Sequence, residues 1–235
     1  MDMGLYETFF TRRSVRKYTS TPLSTEVLSE VRSVLDGAEQ ISGQTASFEI
    51  LEAVKVKDAA TPHAPYYIIA RSEQTDTAYA NVGFVLEKVD LFLQSKGLGS
   101  CWLGMAKPTD VPDDYTVMMA FGYTEIPVRG SESEFNRIAL DDISNEDNAV
   151  ARAARLAPSA VNSQPWKLSF EPGKVVIGYF GRGLLKLILR KKMAKIDVGI
   201  ISRFVTLALE NEGKTVTEVN TDADGKDLRV TVLYN

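Results

Sequence analysis

The residues best suited to ligand chemistry lie in one stretch, from Ala157 to Trp166, which reads Ala-Pro-Ser-Ala-Val-Asn-Ser-Gln-Pro-Trp. A proline disfavours the α region for the residue before it, so we expect Ala157 and Gln164 to be extended. The result is a rigid turn that presents Ser159, Asn162 and Gln164. Amide side chains both donate and accept hydrogen bonds, which suits the edge of a heterocycle. A plain helix-to-strand loop that ends in a core tryptophan is the alternative interpretation.

A second chemically distinctive stretch covers residues 12–18, Arg-Arg-Ser-Val-Arg-Lys-Tyr. Guanidinium groups bind phosphate through planar, bidentate hydrogen bonds, and a serine hydroxyl can donate to a further oxygen. The spacing therefore indicates an anion site, with a solvated basic turn as the alternative.

Together the two stretches resemble the nitroreductase family of FMN-dependent oxidoreductases. In that family an Arg-x-Ser-x-Arg/Lys turn holds the flavin phosphate, and a Pro-Ser-x-x-Asn-x-Gln-Pro-Trp turn contacts the isoalloxazine ring. The resemblance assigns the phosphate to Arg12, Arg13, Ser14 and Arg16. It assigns the ring contacts to the second turn, through Pro158, Ser159, Ala160 and Asn162, with Gln164 as a support.

Two further segments resemble the family. Residues 97–104, Gly-Leu-Gly-Ser-Cys-Trp-Leu-Gly, are similar to its Gly-Leu-Gly-x-x-Trp-x-Gly segment. The resemblance implies a strand that passes the flavin, with the amide of Leu103 or Gly104 directed at N5. Arg137 matches loosely a basic residue that adds to phosphate binding. A helix stop followed by a core strand is the alternative for residues 97–104.

The order of the two turns is unusual. Family members are homodimers whose flavin lies between the arginine turn of one subunit and the Pro-Ser turn of the other. In this chain residues 37–45 have lost the Pro-Ser motif, and the second half has no arginine turn. We therefore expect an internal duplication with one FMN site, built from a first half, 1–142, and a second half, 143–235. Site exchange between two chains is the alternative.

The resemblance implies an α+β nitroreductase-like fold. We expect two halves related by a pseudo-twofold axis, with antiparallel or mixed sheets packed by long central helices. The chain is then a functional monomer, while a weaker homodimer through exposed sheet edges stays open.

The implied chemistry is hydride transfer from NAD(P)H, through flavin N5, to a small acceptor such as a nitroaromatic, a quinone or an enone. The sequence shows no side chain that is demonstrably a proton donor, so positioning is the expected role of the protein. An FMN-binding sensor or carrier without turnover is one alternative, and a scaffold that binds no flavin is another.

Composition narrows the function classes. A formal charge of −4 gives no reason to expect nucleic acid or an anionic membrane as a partner. A single cysteine, Cys101, excludes an internal disulfide framework and fits a reducing cytoplasm. The single histidine, His63, argues against a His-based metal site or a Ser-His triad. No signal peptide or membrane-spanning run is recognised, so we expect a soluble, cytoplasmic protein.

Periodicity and capping residues predict the elements that position these turns. Ser24 and Gly37 bound one predicted helix, and Ser144 is the predicted cap of the helix before the Pro-Ser turn. Gly97 and Gly213 end two long helices, over 75–96 and 194–212. The residues 184–195 combine leucines with basic residues, which fits a helix over the flavin cleft, a solvated face or a membrane-surface segment. Strands are predicted at 46–54, 66–70, 117–123, 166–170, 174–179, 215–221 and 227–234.

Overall fold

The computed structural model describes residues 4–52, 62–106, 108–109, 111–180, 191–224 and 227–235. The helices are α1 Leu5–Thr8, α2 Thr25–Asp36, α3 Asp76–Ser95, α4 Ala149–Ala154 and α5 Lys191–Asn211. The strands are β1 Ala46–Glu52, β2 Tyr66–Ser72, β3 Gly99–Leu103, β4 Val117–Gly122, β5 Trp166–Glu171, β6 Lys174–Tyr179, β7 Val216–Asp224 and β8 Asp227–Tyr234.

The strands form two antiparallel four-stranded sheets of the same topology. The first has the order β1-β2-β4-β3, and the second has the order β5-β6-β8-β7. In each sheet a hairpin is followed by a long helix and then by a second hairpin whose last strand lies beside the first hairpin. The α+β fold expected from the sequence is confirmed.

The long helices α3 and α5 cross at two glycines. A Cβ on Gly83 would lie 2.0 Å from the carbonyl oxygen of Ile196, and a Cβ on Gly199 would lie 1.8 Å from that of Ala80. Each glycine therefore meets the backbone one turn before the other glycine. Only hydrogen at these two positions allows the helix backbones to approach so closely.

Most helix ends follow the local sequence signals. The Ser24 hydroxyl accepts from the Val27 amide, as an N-cap residue should. Gly97 and Gly213 have φ angles of +75° and +74°, so a residue without a Cβ ends each long helix. The predicted cap at Ser144 is wrong: α4 begins later, and Asn148 caps it by accepting from the Ala151 amide.

The Ser144 hydroxyl instead bonds to the backbone of Glu146. A short polar side chain satisfies its local backbone in this way and closes a turn before the helix. Of the 184–195 segment, residues 184–190 lie outside the described part of the chain, and the remainder belongs to α5.

One continuous core contains residues of both sheets and both long helices. The Phe9 ring stacks on the ring of Phe204, with centroids 3.9 Å apart, and so links the chain start to α5. Trp166, at the end of the Pro-Ser turn, is fully buried in the same cluster. The turn is thus anchored on a core tryptophan, as its alternative interpretation also required.

Candidate functional site

The arginine turn lies along the first residues of β3. The Val15 amide donates to the carbonyl of Ser100 at 2.8 Å, and Ser14 forms an isolated parallel bridge with Ser100. Gly99 is required here because a Cβ would lie 2.7 Å from the Val15 side chain. The close approach fixes the turn against the strand that carries Leu103.

Arg12 points into the protein rather than out of the turn. It is 2% exposed, and its Nε donates to Asp90 Oδ2 at 3.1 Å. The other oxygen of Asp90 accepts from the hydroxyl of Ser100. A buried carboxylate needs such partners, because an unpaired charge is costly away from water. Arg12 therefore holds the turn to α3, and its buried Nη2 has no hydrogen-bond partner in the part of the chain that the structure describes.

The other residues of the turn are more accessible. The Arg13 guanidinium pairs with Glu134 at 2.8 Å, while its backbone amide donates to Gln94 at 2.9 Å. Arg16 is exposed, and within the described residues it makes no hydrogen bond or ion pair. Arg16 is accordingly the arginine of the turn that is free to meet a ligand.

Arg129 lies beside the arginine turn, and the sequence analysis did not identify it. Together with Arg12, Arg13 and Arg137 it forms what we call the arginine cluster. Its guanidinium donates to the carbonyl of Arg12 and lies 4.1 Å from the centroid of the Phe135 ring. Burial, followed by the charges of Arg12 and Arg13, lowers the pKa of Arg129 to about 10. The only sequence signal was a basic residue in the loop after β4, which is common and carries no spacing rule.

Arg137 connects the arginine cluster to the Pro-Ser turn. One of its guanidinium nitrogens donates to Asn162 Oδ1 at 2.8 Å, and another donates to the carbonyl of Leu156 at 2.8 Å. Burial, together with the charges of Arg12, Arg129 and other arginines, lowers the pKa of Arg137 to about 9. Cations crowded in this way favour a bound anion, which would offset their repulsion.

The Pro-Ser turn is held by hydrogen bonds from three directions. The Ala160 amide donates to Asp197 Oδ1 on α5 at 2.9 Å. The Gln164 amide donates to Ser159 Oγ at 2.9 Å, and Gln164 Oε1 accepts from the Ile138 amide at 2.9 Å. Asn162 Nδ2 donates to the carbonyl of Asn136 at 2.7 Å. Residues 136–138 of the first half therefore clamp the turn of the second half.

Three residues of this turn have positive φ angles, and none of them is glycine. The values are +49° for Val161, +54° for Asn162 and +46° for Gln164. The expectation that Gln164 is extended is therefore wrong. Its buried amide group fixes the turn, and these contacts outweigh the local preference imposed by Pro165. Such conformations each cost on the order of 1–3 kcal/mol and persist where the surroundings impose them.

The end of β3 lies between the arginine cluster and α5. Leu103 is buried, and Gly104 is exposed beside Met193, whose sulfur would lie 2.5 Å from a Cβ at position 104. Trp102 Nε1 donates to Glu87 Oε2 on α3 at 3.1 Å. Burial, followed by the charge of Asp90, raises the pKa of Glu87 well above its usual range.

Within this single chain, Arg137 links Arg12 to the Pro-Ser turn. Arg12 and Arg137 influence each other electrostatically, Arg137 bonds to Asn162, and Pro158 lies buried at the base of the turn. A separate groove of about 390 Å³, lined by residues such as Asn148, contains none of the candidate site residues.

Residues 37–45, where the Pro-Ser motif is lost, form a turn that is hydrogen-bonded to the second sheet; we call it the closed turn. Ile41 donates its amide to Asn81 Oδ1 at 2.8 Å, as Ala160 does to Asp197. The next residue, Ser42, donates directly to the carbonyl of Val219 on β7 at 2.9 Å. Glu39 precedes these residues and forms ion pairs with Arg203 and Lys88, at 3.2 Å and 2.7 Å.

No helix among the described residues combines the length and apolarity needed to cross a membrane. Within the same residues, no group of three or more His, Cys, Asp or Glu side chains is arranged to hold a metal ion.

Comparison with known proteins bears on the family and the fold. A family model described as "Putative TM nitroreductase" matches residues 4–208. A crystal structure of a protein described as a "putative nitroreductase" from Thermotoga maritima MSB8 is 21% identical and covers 99% of this chain and 94% of its own, with a TM-score of 0.73. A search of curated proteins finds no match.

Other solved structures align with part of the chain. A nitroreductase family protein from Clostridium difficile 630 is 20% identical and covers 63% of this chain and 100% of its own, with a TM-score of 0.48. A Desulfovibrio desulfuricans protein described as a "putative nitroreductase in complex with FMN" is 15% identical and covers 63% of this chain and 99% of its own, with a TM-score of 0.46. The family model spans most of the chain, and the chain therefore belongs to the nitroreductase family.

Proposed function

We propose that the chain is an FMN-dependent oxidoreductase that passes hydride from NAD(P)H, through flavin N5, to a small acceptor such as a nitroaromatic, a quinone or an enone. The observation that carries the proposal is a set of three buried guanidinium nitrogens that have no hydrogen-bond partner among the described residues: Arg12 Nη2, Arg13 Nε and Arg137 Nε. Buried donors are normally satisfied, so their presence together fits an anion with several acceptor oxygens. The flavin phosphate has that chemistry.

The chain's own residues supply binding and orientation. Ser14 and Arg16 extend the anion site toward solvent, while Arg129 and Arg137 provide charge from the other side. The Pro-Ser turn supplies the ring contacts, through Pro158, Ser159, Ala160 and Asn162. The backbone amide of Leu103 or Gly104 would supply a hydrogen bond to the flavin ring. FMN, when bound, supplies the hydride chemistry between the nicotinamide and the acceptor.

We further propose one FMN per chain, bound within a monomer whose halves are residues 1–142 and 143–235. The hydrogen bond from Ser42 to Val219 joins the first-half turn directly to β7, which leaves no gap for a flat ring. Val219 follows Gly213 at the same spacing as Leu103 follows Gly97. Among the described residues, no hydrogen bond joins the Pro-Ser turn to Leu103.

The proposed boundary at residue 142 lies where the chain begins to form hydrogen bonds with the second sheet. Ile143 accepts from the amide of Leu168, and Asn145 bonds to Phe170, so the chain joins the second sheet directly after residue 142. This boundary, the equal sheet topologies and the reciprocal helix crossing support an internal duplication.

The absorption spectrum of the purified protein and a fluorescence titration with FMN and riboflavin test cofactor binding. Arg16→Ala should weaken FMN binding about ten- to a hundredfold, because a charge-assisted hydrogen bond contributes about 1.5–3 kcal/mol. Riboflavin, which lacks the phosphate, should bind both proteins alike. Lys17→Ala is the matched control, since it removes an exposed neighbouring charge. Equal affinity of the wild type for FMN and riboflavin would refute the phosphate assignment.

Turnover and site composition need separate experiments. Anaerobic mixing with NADH and with NADPH should bleach the flavin absorbance, and an added quinone should restore it; a protein that binds FMN but is not reduced is a carrier. Mixing Arg16→Ala chains with Asn162→Ala chains should not restore FMN binding, because one chain supplies both turns. Restoration would show that the site spans two chains.

A further inference from the structure

The two halves hold their turns by the same device. Asn81 on α3 accepts from the Ile41 amide at 2.8 Å, and Asp197 on α5 accepts from the Ala160 amide at 2.9 Å. Both side chains are almost fully buried, at 0% and 2% exposure. Each precedes by two residues one of the glycines at which the long helices cross, so both acceptors are fixed at the centre of the molecule.

The turns differ in how much conformational restraint they require. In the first turn the residue with positive φ is Gly43, at +73°, which glycine adopts without strain. In the second turn Val161 and Asn162 occupy that region, at +49° and +54°. Val161 is β-branched and 76% exposed, so no packing around its side chain explains its conformation. The restraint must come from the backbone contacts on either side of it.

Asp197 supplies the contact nearest to Val161. Its carboxylate accepts a hydrogen bond from the amide of Ala160, which directly precedes Val161. Ser159, before Ala160, is extended, with φ −150° and ψ 158°. The chain therefore changes from extended to left-handed across the residue that Asp197 holds. A charge-assisted hydrogen bond to a backbone N–H is stronger than a neutral one, which suits a turn that must be held against its local preference.

We propose that Asp197 is the positioning residue that holds the Pro-Ser turn in the conformation that receives the flavin ring. The inference rests on the proposed FMN site and adds to it a residue that itself touches neither phosphate nor ring. It also explains why the two halves need different acceptors: an amide suffices for the closed, glycine-containing turn, and a carboxylate holds the strained one.

The test compares Asp197→Ala and Asp197→Asn with Asn81→Ala, which removes the same device from the closed turn. Asp197→Ala should lose at least about tenfold in affinity for both FMN and riboflavin, because it acts on the ring contacts. Asp197→Asn retains an acceptor but loses the charge, so its affinity for both flavins should lie between those of the wild type and Asp197→Ala. Asn81→Ala should lower the urea midpoint while leaving both affinities unchanged.

Ala160→Pro provides a second route if Asp197→Ala does not fold. It removes the donated N–H without altering Asp197, and the extended Ser159 already has the conformation that a following proline requires. The same loss of affinity for both flavins is expected. The proposal is overturned if Asp197→Ala or Ala160→Pro folds and binds flavin normally, or if Asn81→Ala weakens flavin binding as much as Asp197→Ala.

Hydrogen exchange in the flavin-free protein separates this inference from the proposed function. The amides of residues 159–164 should exchange faster in Asp197→Ala than in Asp197→Asn or the wild type. If the wild-type protein binds no flavin but these amides still exchange faster in Asp197→Ala than in the wild type, the FMN site is refuted and Asp197 remains the residue that holds the turn. Unchanged exchange would overturn the role of Asp197 whether or not FMN binds.

Discussion

The crossing of α3 and α5 makes the sharpest prediction about stability. Replacing Gly83 or Gly199 by alanine places a Cβ 2.0 Å or 1.8 Å from a carbonyl oxygen of the facing helix. Cβ contacts shorter than 3.0 Å are essentially never observed, so the helices must separate locally by at least about 1 Å. The obstacle is backbone on both sides, so no side-chain rotation relieves it.

Overpacking of a well-packed core typically costs about 1–3 kcal/mol, and more where the backbone must move. We expect each single alanine variant to lose about 3 kcal/mol or more in the free energy of unfolding. For a chain of this size that corresponds to a fall of about 6–12 °C in Tm. The double variant should lose less than the sum of the two, because one displacement of the helices accommodates both methyl groups.

Urea unfolding followed by circular dichroism measures these differences through the midpoint and the slope. Gly178→Ala is the matched control: a Cβ there meets no atom within 4 Å, so the change should be neutral or stabilise by up to about 1 kcal/mol. A Gly83→Ala protein within about 1 kcal/mol of the wild type, or full additivity in the double variant, would show that the helices do not cross as described.

Three further predictions concern single residues. Because burial raises the pKa of Glu87, its protonated form contributes stability at low pH that is lost as the pH rises above the unfolded value of about 4.3. Glu87→Gln should therefore gain in urea midpoint relative to the wild type between pH 4 and pH 8, and a constant difference across that range would contradict this. Val161→Gly should stabilise by about 1 kcal/mol by relieving a positive φ, whereas Val128→Gly, at another exposed valine, should destabilise; equal effects would remove the strain argument. Burial raises the pKa of the Cys101 thiol, so it should resist alkylation at pH 8 until denaturant is added, and modification at the denatured rate would contradict its burial.

The sequence by itself determined the local elements and the family. Ser24 and Thr75 mark helix starts because their hydroxyls accept hydrogen bonds from free amides of the first turn. Gly97 and Gly213 mark helix ends because glycine readily adopts the left-handed conformation that ends a helix. These interactions join residues that are close in sequence, so the local sequence is sufficient to predict them. The arginine and Pro-Ser turns were recognisable for the same reason, since their residues are adjacent.

The tertiary structure decided what those residues contact. No local pattern shows that Arg12 turns inward to Asp90, that Arg129 joins the cluster, or that Asp197 holds a turn formed by residues far before it. The left-handed Gln164 contradicts its local preference because distant contacts fix its side chain. Long-range partners depend on how α3 and α5 pack, and that packing is a property of both halves together, beyond any single stretch of sequence.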